Sequence, residues 1–71
     1  MSEATTHGQR AYLGNAHDRI KASMQAASQW SLTMMEALTV DDARAARAKA
    51  EDAIRDALHA VERAKGAVFQ W

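Results

Sequence analysis

Few residues in this 71-residue chain are of a type that does chemistry. The three histidines, His7, His17 and His59, lie far apart, and there is no cysteine. A thiolate metal site and a disulfide framework are therefore both excluded. His17, Asp18 and His59 would reach a similar height if the chain folded back on itself. A zinc site, however, needs three or four converging ligands with an oriented second shell. On a helical wheel His17 falls at the edge of an apolar strip and His59 in a charged face. The spacings His-Glu-x-x-His and Glu-x-x-His are absent, so no metal and no cofactor is expected.

Serine and threonine are present, but no nucleophile elbow, phosphate-cradling glycine loop or carboxylate pair accompanies them. Two helices also leave little room for a cleft. The expectation is a protein that is not an enzyme.

Charge narrows the partners. Nine basic and nine acidic side chains give a net charge of zero. A phosphate-binding chain normally carries a basic excess on one face, which makes nucleic acid an unlikely ligand. The alternative reading, a small nucleic-acid-binding regulator, would need Arg44, Arg47, Arg55 and Arg63 to line up free of their acidic neighbours. No apolar run approaches a membrane span, and the N-terminus lacks the basic start and apolar run of a signal peptide. A cytoplasmic location is expected, with no membrane contact.

The dominant feature is a stripe of eight alanines, Ala43, Ala46, Ala50, Ala53, Ala57, Ala60, Ala64 and Ala67. Steps of three and four alternate without a break, the 3.5-residue period of one helix packed along another. Alanine lets the neighbouring backbone come close, toward the short end of about 8–10 Å between axes.

Proline is absent, glycine occurs only at 8, 14 and 66, and good helix formers abound, so the chain is expected to be all-α. Residues 1–6 read as a flexible tail and 7–71 as a single domain. Thr6 with Gln9 has the form of a capping box opening a first helix over about 7–38. Its apolar strip on a 100° wheel is Leu13, Ala16, Ile20, Met24, Ala27, Met34 and Leu38, with Tyr12 and Trp30 on one flank. A turn at about 38–41 follows, where Thr39 suits an N-cap and Asp41 and Asp42 suit the first turn of a second helix over about 40–69. An uninterrupted rod is the alternative. Gly66 either caps the second helix or lies inside it, and the alanine stripe continuing to Ala67 favours the latter. In an antiparallel hairpin Gly66 faces Tyr12, where it would leave room for a ring.

Ile54, Leu58, Val61 and Val68 lie beside the alanine stripe, making an apolar arc wider than one neighbour covers. A hairpin supplies one neighbour and a homodimer supplies two. The expected architecture is thus an antiparallel two-helix hairpin dimerising into a four-helix bundle with coiled-coil packing. Residues 22–35 carry no charge in a chain that is one quarter charged. This run is either buried within a homo-oligomer or a surface for a second protein. For partner contact the candidates are Tyr12, Trp30, Met34 and Met35, since Met adapts its shape and aromatic rings anchor interfaces. The expected function is non-enzymatic protein–protein contact: self-assembly, or the adapting, inhibiting or chaperoning of a partner.

Overall fold

The computed structural model describes residues 3–71. Two long helices, α1 (His7–Glu36) and α2 (Val40–Gln70), pack antiparallel as a hairpin with extents of 54 × 17 × 16 Å. The chain is all-helical among the described residues. Residues 3–6 precede α1 without regular structure, and the first two residues of the expected tail lie outside the described part.

Side chains define both helix starts. The Thr6 hydroxyl accepts from the Gln9 backbone N–H at 3.1 Å, and the Gln9 side chain accepts from the Thr6 N–H at 2.8 Å, completing a capping box. Thr39 Oγ1 accepts from the Asp42 N–H at 3.1 Å, with Asp41 and Asp42 in the first turn, where they complement the helix dipole. α1 ends at Glu36 because Ala37 turns extended, with φ −63° and ψ 137°. Ala37, Leu38 and Thr39 alone reverse the chain, with no positive φ. Replacing Thr39 by Ala leaves the Asp42 N–H without its cap. About 1 kcal/mol of stability should be lost, read as a lower midpoint in urea with an unchanged slope.

α2 meets α1 along its alanines. Ala46, Ala53, Ala57 and Ala60 are buried, and Ala43, Ala50, Ala64 and Ala67 are half-buried. On α1 only Ala27 is buried; Gln9, Leu13, Ala16, Ile20, Ser23 and Ala26 are half-buried, as is Ala37 just past its end, and Trp30 and Met34 are slightly more exposed. Ala26 aside, these positions step by four and three, matching the period of the stripe they face.

The α1 strip therefore differs from the one read on a 100° wheel. Met24 is exposed, Leu38 is 97% exposed, and Ser23 and Trp30 take inward positions. A straight wheel drifts by about 20° per heptad against a 3.5-residue seam. Over the 30 residues of α1 that drift carries the contact line from Leu13 round to Trp30 and Met24 slides off it, whereas Leu38 is exposed because it lies in the turn beyond the end of the helix.

Gly66 also departs from expectation. α2 runs through it to Gln70, but a Cβ built there meets nothing within 4 Å, and the same holds at Gly14. Neither glycine makes room for a ring, and neither has positive φ. Each weakens a helix interior without compensating contact, so Gly14→Ala and Gly66→Ala should each add about 0.5–1 kcal/mol, measurable as raised melting temperatures.

Candidate interaction surface

The hairpin has two unlike flanks. On one, Arg19 and Ser23 of α1 line a polar cleft with Asp56, His59 and Arg63 of α2. This brings a hydroxyl, an imidazole and a carboxylate to one place, a grouping not evident in the sequence because Ser23 lies on the other helix. No hydrogen bond joins the three among the described residues, and two guanidinium groups flank them. His17 is not among the residues lining that cleft. Among the described residues no three His, Cys, Asp or Glu side chains gather in a cluster able to hold a metal ion.

The other flank is apolar on α2. Ile54 is 52% exposed, Leu58 53%, Val61 45% and Val68 49%. With Lys65 they form a second stripe, again in steps of four and three, running beside the alanine seam on the side away from the cleft. The flank of α1 at the same height carries Arg10, Gly14, His17 and Lys21, with Met24 level with Ile54. Toward the turn the α2 stripe becomes charged with Arg44, Arg47 and Glu51. The apolar part of this flank therefore belongs to α2 and to the half of the rod away from the turn.

The four aromatic and methionine candidates do not form one patch. Tyr12 lies toward the open end, where its ring meets Trp71 edge-on with centroids 6.1 Å apart and planes at 77°. Its hydroxyl donates to the Arg63 carbonyl in a long 3.5 Å contact. This pairing fastens the last residue of the chain to α1 and engages Tyr12 within the hairpin. Trp30 lies about 27 Å further along α1 by helical rise. There it lines a shallow groove near the turn with Thr33, Ala37, Asp42, Ala46 and Lys49. Met34, one turn on from Trp30, is 37% exposed, and Met35 is 73% exposed.

The arginines are largely engaged. Arg47 and Arg55 donate to the two oxygens of Glu51 at 3.2 and 2.8 Å, and Arg44 lies 4.0 Å from Asp41. Arg63 sits on the other flank, in the polar cleft. Such exposed pairs contribute little to stability, but they distribute positive charge among carboxylates rather than along one strip. No helix among the described residues is long and apolar enough to cross a membrane.

No protein-family model matches this chain, and no curated protein or solved structure matches it either. A functional reading accordingly rests on the class of molecule the fold defines, a helical hairpin with an alanine-packed interior and one apolar flank.

Proposed function

We propose that this protein is non-catalytic and acts through helix-to-helix contact, and that its first partner is a second copy of itself, forming a four-helix bundle. One observation carries this reading: among the described residues the hairpin buries only alanines. The buried apolar residues are Ala27, Ala46, Ala53, Ala57 and Ala60, and no large side chain is fully buried. The accessible surface is 5881 Å². A compact monomer of this mass, 7.8 kDa, exposes roughly 4,400 Å² by the scaling of area with mass. The excess is about a third. It exceeds the roughly 800 Å² per partner that a stable protein–protein contact buries.

A chain of this length is also near the lower limit for an independent core, and association is the usual remedy where disulfides and metals are lacking. Such a bundle suits a small regulatory, adaptor or chaperone-like protein, with the Trp30 groove near the turn remaining open toward a different protein. The four arginines speak less well for nucleic acid, since three are paired with carboxylates and the fourth lies across the rod.

The test is thermal melting followed by circular dichroism over a hundredfold range of concentration. Mass action raises the midpoint of a dimer as concentration rises. An unchanging midpoint would overturn self-association.

A further inference from the structure

Resting on the dimer reading above, we infer that two copies pair through α2 alone, antiparallel, with Leu58 of each opposite Val61 of the other.

The two halves of this flank are unlike, aliphatic on α2 and largely cationic on α1. If two hairpins stacked face to face with their turns at the same end, each α2 would lie over the partner's α1. Leu58, Val61 and Val68 would then meet Lys21, His17 and Arg10, burying two cationic groups and an imidazole against aliphatic ones. With turns at opposite ends and the copies offset so that only the α2 helices meet, the apolar stripe meets itself and the Arg10, His17 and Lys21 flank of each α1 stays in solvent. The stripe's own spacing sets the register. In an antiparallel seam, Leu58 faces Val61 of the second copy and Val61 faces its Leu58. One layer further out, Ile54 lies against the aliphatic stem of Lys65, which keeps its ammonium group in water.

Charge points the same way. Glu51 and Lys65 bracket Ile54, Leu58 and Val61, with Val68 one step beyond Lys65 and opposite the stem of Glu51 on the other copy. Antiparallel pairing brings the Lys65 ammonium within a turn of Glu51 on the other copy, whereas parallel pairing of α2 with α2 sets Lys65 on Lys65 and Glu51 on Glu51. The Glu51 carboxylate already accepts from Arg47 and Arg55, so the added pair is weak and serves orientation more than affinity. The antiparallel arrangement also keeps apart the two acidic turns, where Glu36, Asp41 and Asp42 outnumber Arg44.

The absence of native cysteine makes the test direct. Ile54→Cys and Lys65→Cys, both at exposed positions, are made separately in the full chain, one carrying a mass tag. They are treated with a short thiol cross-linker alone and as an equal mixture. Antiparallel pairing predicts the mixed product in the mixture and almost no product from either variant alone. Like positions are then about 16 Å apart along the helix axis, beyond a short link. Like-with-like products from the single variants would overturn the orientation. No product from a sample that light scattering shows to be dimeric would overturn contact through α2. A wild-type chain that is monomeric throughout would instead overturn the dimer reading on which the orientation depends.

Discussion

Leu58→Lys should separate the two copies while leaving each hairpin folded. Leu58 is half exposed in the isolated hairpin, and lysine is as good a helix former, so the monomer loses little. In the dimer the same position lies at the centre of the apolar stripe. Burying a whole leucine side chain is worth about 1.5–3 kcal/mol; the half of Leu58 still exposed in the hairpin accounts for about half of that, lost twice in a symmetric contact. The dimer should weaken by about 1.5–3 kcal/mol from this alone, roughly ten- to a hundredfold in dissociation constant, and further where the ammonium groups are desolvated. Sedimentation equilibrium at micromolar protein should show the halved mass, with helical content kept. His59→Lys, next in sequence but on the cleft flank, is the control and should remain dimeric. Equal behaviour of the two variants would remove the apolar flank from the account.

Ala57→Leu tests the other side of the same helix and should damage the hairpin itself. Ala57 is 6% exposed and midway along the seam. Three added carbons have nowhere to go except between the helices, and overpacking of this kind costs about 1–3 kcal/mol. For a domain of this size each kcal/mol moves the melting temperature by about 4–8 °C. Ala53→Leu should behave alike. Ala48→Leu, an equal enlargement at an exposed position of α2, should change the melting temperature little. A melting temperature unchanged by Ala57→Leu would mean that the helices do not approach closely along the alanines.

The contrast between these residues shows how much was legible beforehand. The alanine seam could be read directly because its period is unbroken over 25 residues, from Ala43 to Ala67, and small size at every step admits one explanation. The capping threonines, Thr6 and Thr39, were equally plain, since each acts on a backbone group three residues away. The α1 face was harder. Its seam mixes Gln9, Ser23 and Trp30 with aliphatic residues, so polarity does not mark it, and only the partner's period fixes which residues turn inward.

The candidate site was legible in part. The width of the α2 arc indicated a second neighbour, but sequence alone could not say which half α1 would take. That α1 takes the small half leaves Ile54, Leu58, Val61 and Val68 uncovered. On a helical wheel Tyr12 and Trp30 flank the same arc. Their separation along the helix, and the closure of Tyr12 by Trp71, depend on where the chain returns. The cleft holding Ser23, Asp56 and His59 is likewise a product of the two helices' register.

The central claim is that the apolar half of α2 is covered by a second copy of the chain. Molar mass by light scattering on a size-exclusion column, over a hundredfold range of concentration, tests it most directly. The account predicts a species of twice 7.8 kDa that persists on dilution and gives way to monomer for Leu58→Lys. A folded wild-type chain that elutes at 7.8 kDa at every concentration would contradict it.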